Sequence, residues 1–275
     1  MIRVEPGERA VAHVAGLAAG GPADPSSRVT LHFHPDRLVD GVPILECMAR
    51  DGRYRTQFET GVSNGGLTAH PGGDRWRWES RLFAGAYDEA APEHRPKYGS
   101  LNFRGRKTGG SPRFGSAHLR LARHTMSRTT FTYPDSFFEP TAFGVEDRLS
   151  ALVAAAEADD KDLLDDYIEA QVHGEVDLAR DVEALVLDPS YRGTEIEATA
   201  RKLGRVEWHE GFRLTTGELL RHPDYRGPEF TALGAELAED GHLDPRILGK
   251  AAGHGEQALK RVWHLLARFG NQELS

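Results

Sequence analysis

The segment at residues 167–174 constrains the fold more than any other part of the chain. It reads Tyr-Ile-Glu-Ala-Gln-Val-His-Gly, so apolar and polar side chains alternate with the two-residue period of a β-strand. The apolar members are predicted to face a core, and Glu169, Gln171 and His173 must then share the opposite face. Buried polar side chains need hydrogen-bonding partners, and a ligand cleft supplies them more readily than water alone. This face is therefore a candidate binding site.

A second polar face is predicted on the strand at residues 29–34. His32 and His34 lie on one side of this strand, and Pro35 then ends it. His34 therefore comes at the strand end, where binding residues are commonly found. The alternative, that both histidines are hydrogen-bonded structural side chains, stays open.

Charge and cysteine content restrict the class of protein. The 275-residue chain has a formal net charge of −8, which argues against a broad basic surface for nucleic acid. No apolar run approaches the roughly 20 residues that a membrane span needs, and the N-terminal segment lacks a secretory signal. Cys47 is the single cysteine, so an internal disulfide and a cysteine-based zinc site are excluded. These features predict a cytoplasmic protein.

Strand and helix patterns are mixed as far as residue 214 and helical from there on. Strands are predicted at residues 29–34, 53–59, 98–103, 117–123, 128–133, 167–173, 182–187 and 206–214. Helices are predicted at residues 8–19, 42–50, 76–87, 145–156 and 194–204. The pattern predicts an α+β domain of residues 1–214 with a mixed, curved β-sheet, and a helical C-terminal extension of residues 215–275 packed on it. The strands that carry His34, Tyr98 and Glu169 are expected to line one cleft.

Three segments between these elements carry further expectations. The glycine-rich loop at residues 60–66 is expected to bring Ser63 or Asn64 into the cleft, because glycine lets a backbone approach a ligand closely. An exposed hairpin turn is the alternative for this loop. The loop at residues 105–110, with Arg104, Arg106 and Lys107, is interpreted as a solvated, mobile turn, with a phosphate contact as the alternative. The aspartates at residues 159–166 are interpreted as an exposed face.

Several common catalytic motifs are missing from the chain. It contains no Gly-x-Gly-x-x-Gly after a strand and no Gly-x-x-x-x-Gly-Lys-Ser/Thr. His-Glu-x-x-His is absent as well. Residues 61–65 read Gly-Val-Ser-Asn-Gly and match the letters of Gly-x-Ser-x-Gly, but no apolar strand leads directly into them, as a nucleophile elbow requires. The usual dinucleotide, P-loop, hydrolase and zinc-protease signatures therefore do not apply.

One family resemblance emerges from the order of the remaining features. A strand ending in histidine, a helix, a Gly/Ser/Asn loop and the sequence Arg-Pro-Lys-Tyr-Gly at residues 95–99 together resemble the ADP-ribosyltransferase superfamily over about residues 28–214. The chain also resembles an uncharacterised bacterial branch associated with that superfamily. The resemblance implies an ADP-ribosyltransferase-like core with a mixed, curved sheet.

The resemblance also implies a set of site residues. Members pair a histidine or arginine on the first strand with a tyrosine, serine or threonine on the next, and a later strand supplies an acidic or amide residue. The implied catalytic residues in this chain are Glu169, Gln171 and His34. The implied NAD-binding residues are His32, His34, Ser63, Asn64, Tyr98 and His173.

The implied activity is cleavage of the nicotinamide–ribose bond of NAD. The ADP-ribose is then transferred to an unknown protein, nucleic-acid or small-molecule acceptor, or to water in an NAD glycohydrolase. Histidine would hydrogen-bond the ribose or the amide, and an aromatic ring would stack on nicotinamide. Glu169 would hold the ribose 2′-hydroxyl and stabilise an oxocarbenium-like transition state, as carboxylates do in glycoside cleavage. The resemblance also implies a toxin-like protein with a possible antitoxin-like partner and no association with a membrane.

Two other functions are compatible with the same residues. A metal-dependent hydrolase would use His32 and His34 as a ligand pair, completed by Asp36, His173 and Glu169. A binding module without catalysis would use the polar face as an interface or core network. No metal requirement is expected, because a hydrogen-bonding strand face explains the spacing of His32 and His34 equally well.

Overall fold

The structure, a computed structural model, describes residues 4–61 and 67–274. Within these residues, helices α1 to α11 span Pro6–Leu17, Ile44–Asp51, Gln57–Thr60, Asp74–Leu82, Ser150–Glu157, Leu178–Asp181, Glu195–Leu203, Thr216–Leu219, Pro228–Leu237, Pro245–Lys250 and Glu256–Phe269. Strands β1 to β14 span Val29–Phe33, Leu38–Val39, Val42–Pro43, Arg53–Tyr54, Lys97–Leu101, Ala117–Leu121, Thr129–Tyr133, Ala142–Val145, Ile168–Val172, Val176–Asp177, Val182–Leu187, Val206–Trp208, Leu214–Thr215 and His242–Leu243.

An eight-stranded sheet forms the centre of the molecule. Its strand order is β12-β11-β6-β1-β5-β9-β7-β8. β11 and β12 run parallel, and the other neighbouring strands run antiparallel. The predicted combination of a large mixed sheet with helices is confirmed. The strands that carry Tyr98 and Glu169, β5 and β9, are direct neighbours, and β1 lies on the other side of β5.

The two faces of the sheet differ in chemistry, as the alternation in β9 predicts. Ile168, Ala170 and Val172 belong to an apolar core that helices α2, α5 and α7 cover. The opposite face is polar in β9 and its neighbours, and α1 and α4 cover part of it through a second apolar cluster. A third cluster joins the C-terminal helices α8, α10 and α11 to Leu164 and Phe212. Since this cluster uses residues on both sides of position 214, the division there stays a prediction.

The sheet opens between β1 and β5. These two strands pair at Val29–Leu101 and Thr30–Ser100. The pairing of β1 with β6 continues to Phe33, and that of β5 with β9 continues to Lys97. The ends of β1 and β5 beyond the shared pairs therefore separate, and the separation leaves space at the site where His34 follows β1.

Two strands predicted from alternation are shorter in the structure. The strand at residues 53–59 is limited to Arg53–Tyr54, because Thr56 and Glu59 form a capping box that begins α3. Hydrogen bonds at the helix start outweigh a three-residue alternation there. The strand at residues 206–214 ends at Trp208, and β8 occupies residues 142–145, where the sequence did not predict a strand.

The basic loop and the acidic run meet at Asp166, where the prediction of an exposed face is wrong, whereas Arg104, Lys107, Asp159 and Asp160 are exposed as predicted. Arg104 and Arg106 each form an ion pair with Asp166, at 2.6 and 2.9 Å. Asp166 itself is buried. A burial of this carboxylate without a cation would be costly, and the two arginines supply its partners.

None of the described helices is long and apolar enough to cross a membrane.

Gly99 is predicted to be required where the sheet opens. A Cβ atom at this position would lie 2.5 Å from the carbonyl oxygen of Thr30 and 2.6 Å from Leu31 Cδ2. Gly99→Ala is expected to lower the free energy of unfolding by about 1–3 kcal/mol, the usual cost of overpacking. Gly16→Ala is the control, since nothing lies within 4 Å of a Cβ there and alanine favours the helix by up to about 1 kcal/mol. Denaturant titration measures both, and equal stabilities would contradict the prediction.

Candidate functional site

A cavity of about 140 Å³ lies at the separation of β1 and β5. This cavity, called the cleft below, brings together four residues predicted from sequence: His32, His34, Tyr98 and Glu169. They come from three adjacent strands of the sheet or from the residues directly after them. The cleft is therefore positioned by the sheet itself, with polar side chains on one wall.

Glu169 is held by hydrogen bonds in the wall of the cleft. Its Oε2 accepts a hydrogen bond from the hydroxyl of Ser136 at 2.8 Å, and its Oε1 accepts one from Nε2 of Gln171 at 3.1 Å. The guanidinium of Arg75 lies 3.7 Å from Oε1. Burial raises the pKa of Glu169, whereas Arg75, Ser136 and Gln171 oppose this rise. Glu169 is only 6% exposed, and the hydrogen-bond donors replace water around its carboxylate and hold it in one position.

Gln171 and His173 contribute to this arrangement from behind the cleft wall. Thr130 donates to Oε1 of Gln171 at 2.8 Å and is 3.0 Å from Nε2 of His173, whose Nδ1 is 2.7 Å from the hydroxyl of Tyr87. Since the threonine hydroxyl has one proton, His173 donates to Thr130 and accepts from Tyr87. Burial lowers the pKa of His173 to about 3. The implied ligand contact of His173 does not fit this position.

The ring of Tyr98 lines the cleft, and its hydroxyl is bonded to a buried carboxylate. The hydroxyl donates to Oε1 of Glu79 at 2.7 Å, and Glu79 pairs with Arg95 at 2.5 Å. The guanidinium carbon of Arg75 lies 3.9 Å from the centre of the Tyr98 ring, a cation–π contact. A buried set of charges therefore fixes the tyrosine ring on its side facing α4.

Sequence reasoning missed the buried charges of α4. Arg75 and Glu79 are buried together with Trp78 and Leu82. Positions 75, 78, 79 and 82 share one face of a helix by the i, i+3, i+4 rule. The sequence pattern that could have revealed them is an arginine and a glutamate four positions apart on the same helix face as two apolar residues.

The two histidines near the end of β1 differ in their surroundings. Nε2 of His32 accepts a hydrogen bond from the backbone N–H of Ser111 at 3.1 Å, and its Nδ1 lies 3.3 Å from the carbonyl oxygen of Gly115. The His34 ring packs edge-on against Trp263, with ring centres 4.9 Å apart, and its nitrogens have no hydrogen-bond partner among the described residues. Desolvation lowers the pKa of both to about 3. His34 is thus the neutral histidine with free nitrogens at the cleft.

The cleft carries more positive than negative groups, in contrast to the whole chain. The cationic side chains that line it are Arg37, Arg53, Arg55, Arg75 and Lys97, and the carboxylates are Asp51, Asp135 and Glu169. Lys97 is almost fully buried, and its Nζ donates to the carbonyl oxygens of Glu93, Arg95 and Gly174. Burial lowers the pKa of Lys97 to about 8. Three of the arginines are paired within the protein, Arg37 with Glu256, Arg53 with Glu59 and Arg55 with Asp51, so an anionic ligand would share these cations with the carboxylates.

Two predictions cannot be placed within the cleft. Ser63 and Asn64 lie outside the described residues. In the part of the chain that the structure describes, no group of three or more His, Cys, Asp or Glu side chains is close enough to hold a metal ion. Asp36, the third ligand in the hydrolase interpretation, accepts a hydrogen bond from Tyr191 at 2.7 Å.

Comparison with known sequences places the chain in a family. A comparison with curated proteins finds no match. The model of a family described as "Protein of unknown function (DUF3626)" matches residues 28–160 and 150–269. The two matches cover the eight-stranded sheet, the cleft and nearly all of the C-terminal helices. The chain therefore belongs to the DUF3626 family.

Proposed function

We propose that the protein cleaves NAD at the nicotinamide–ribose bond, as an ADP-ribosyltransferase or an NAD glycohydrolase. The observation that carries the proposal is the presence of His34, Tyr98 and Glu169 in one cleft, on or directly after the adjacent strands β1, β5 and β9. The resemblance to ADP-ribosyltransferases assigns roles to these three positions. An ADP-ribosyltransferase-like core is part of the same proposal.

The proposed reaction breaks the bond between C1′ of the ribose and the nicotinamide nitrogen. The bonding electrons leave with nicotinamide and neutralise its pyridinium charge, so positive charge develops on the ribose. A carboxylate next to the ribose stabilises that charge, as in glycoside cleavage. Glu169 has this role because its donors hold it as an acceptor at the cleft wall. An acceptor nucleophile or water then bonds to C1′ and releases its proton.

The charges of the cleft suit the rest of the NAD molecule. NAD carries two negative charges on its pyrophosphate, and arginine binds phosphate oxygens well. Arg37, Arg53 and Arg55 line the cleft, where they pair with Glu256, Glu59 and Asp51, and a bound pyrophosphate would share them with these carboxylates. His34 supplies free ring nitrogens for a ribose or amide contact, and Tyr98 supplies an aromatic surface. The metal-hydrolase alternative gains no support, since His32 uses both ring nitrogens within the protein.

Glu169→Gln is expected to lower NAD turnover on the order of 100-fold, because it removes one preorganised charge from the transition state. The stability change is expected to stay below about 2 kcal/mol, since the side chain keeps its shape. Glu183→Gln is the matched control on the same sheet, where the carboxylate pairs with Arg28 and Arg120 at a partly exposed site. Nicotinamide release and melting temperature are measured for each variant. Full turnover by a folded Glu169→Gln protein would remove this residue from the mechanism.

As the pH is lowered, the turnover rate is expected to begin to fall at a pH higher than the usual pKa of a glutamate. Glu169 is needed as a carboxylate, and its burial raises its pKa. Protonation as the pH falls through that raised pKa therefore inactivates the site, and the rate recovers as the pH rises. A pH profile of kcat/KM for NAD cleavage, which reports the ionising groups of the ligand-free protein, checks this expectation. An acid limb at or below the usual glutamate pKa would show that another group controls it.

His34→Phe and His32→Phe form a matched pair that separates ligand binding from folding. His34→Phe keeps a ring against Trp263 and removes the free nitrogens, so the KM for NAD is expected to rise about five-fold, the equivalent of one hydrogen bond of about 1 kcal/mol. His32→Phe leaves the Ser111 N–H and Gly115 carbonyl groups unpaired. It is expected to cost about 1–3 kcal/mol of stability. Steady-state kinetics and denaturant unfolding measure the two effects, and the reverse assignment would refute the proposed roles.

A further inference from the structure

We infer that Arg75 is a positioning residue that acts through Ser136 to keep Glu169 ionised and in one orientation. Its part in catalysis rests on the proposed function. Its part in holding the carboxylate rests on geometry. Arg75 lies in the first turn of α4, an element that sequence reasoning did not connect with the cleft.

The burial of Arg75 is not explained by hydrogen bonding alone. The residue is 3% exposed, and its Nε is buried without a hydrogen-bond partner among the described residues. A buried donor left unpaired destabilises the folded state. The side chain is retained between the Tyr98 ring and the carboxylate of Glu169, where its charge has specific partners. This cost points to a role in the site.

The hydrogen bonds that connect Arg75 to Glu169 through Ser136 can have only one donor direction. Nη1 of Arg75 donates to the hydroxyl oxygen of Ser136 at 2.9 Å. A guanidinium cannot accept, so the serine hydroxyl gives its single proton to Oε2 of Glu169. The backbone N–H of Ser136 lies 3.3 Å from the same oxygen and also donates to it. Both donors of Ser136 therefore have an acceptor when Glu169 is ionised.

A second chain reaches the same carboxylate from the opposite side. Tyr87 donates to His173, His173 to Thr130, Thr130 to Gln171, and Gln171 to Oε1 of Glu169. These are neutral groups, so they orient the carboxylate without balancing its charge. The charge balance therefore falls to Arg75.

The other charged and titratable groups around Glu169 do not replace Arg75. Asp135, in the loop after β7, raises the pKa of Glu169. Tyr167 donates its hydroxyl to Asp135, and Tyr98 of β5 donates its hydroxyl to Glu79. Among the residues that the structure describes, the cation within ion-pair distance of Glu169 is Arg75 of α4. Removal of its charge leaves burial and Asp135 to favour the protonated acid.

The test follows the ionisation of Glu169 directly, in the ligand-free protein. Carbon-13 NMR of glutamate carboxyl groups is recorded against pH, with Glu169→Gln used to assign the signal. The variants are Arg75→Gln, Arg75→Lys and Ser136→Ala. Arg104→Gln is the matched control, because Arg104 pairs with Asp166 and has no contact with Glu169 among those of the described residues. The titration midpoint of Glu169 is expected to rise in Arg75→Gln and in Ser136→Ala. In Arg75→Lys, which keeps the positive charge, the midpoint is expected to rise less than in Arg75→Gln. In Arg104→Gln the midpoint of Glu169 is expected to stay unchanged.

Kinetics provide the second measurement. In Arg75→Gln, kcat for NAD cleavage at neutral pH is expected to fall about 100-fold, the typical cost of a misplaced catalytic group, and the acid limb of its pH profile is expected to move to higher pH. An unchanged Glu169 midpoint in folded Arg75→Gln would overturn the inference. If Arg75→Gln does not fold, an unchanged midpoint in Ser136→Ala, which keeps both charges, would overturn it. Absence of NAD cleavage by the unaltered protein would refute the proposed function, and the midpoints would still decide the role of Arg75.

Discussion

The site depends on the burial of one carboxylate in the polar face of the sheet. Transfer of the Glu169 charge out of water is unfavourable unless donors and a cation replace the lost hydration. The structure meets this demand with Ser136 and Gln171 as donors and Arg75 as the cation. The same demand explains why Gln171 and His173 are polar although neither lines the cleft. They transmit hydrogen bonds to Glu169 through Thr130 and are part of its support.

The opening of the sheet makes this buried group accessible. β1 and β5 pair over two residues and then separate, and the cleft lies at the separation. A glycine at position 99, directly after the last shared pair, allows its backbone to lie close to Thr30 and Leu31 where the strands begin to separate. Because the neighbouring pairs β1–β6 and β5–β9 continue, each wall keeps its hydrogen-bonded support. The fold thus combines a rigid frame with a gap at one place, an arrangement suited to precise placement of catalytic groups.

The distribution of charge separates the cleft from the rest of the protein. The chain as a whole is acidic, with a net charge of −8, but cations outnumber carboxylates among the described residues of the cleft. Arginines pair internally both at the cleft, as Arg53 does with Glu59 and Arg55 with Asp51, and away from it, as Arg104 and Arg106 do with Asp166. This excess of cationic side chains is local to the cleft, so it gives no general affinity for nucleic acid. This property agrees with the proposed dinucleotide substrate.

The sequence by itself determined the two-faced strand at Glu169, the strand that ends near His34 and the mixture of sheet and helices. The two-residue period of a strand fixes which side chains share a face, so this information is local. Local alternation failed at residues 53–59, where the capping box of Thr56 and Glu59 formed a helix. Only the tertiary structure decided that His32 is bonded within the protein, that Gln171 and His173 stand behind the cleft, and that Arg75 balances Glu169. These outcomes depend on groups 33 to 94 positions apart in sequence, and a periodic pattern carries no information about which distant side chains meet.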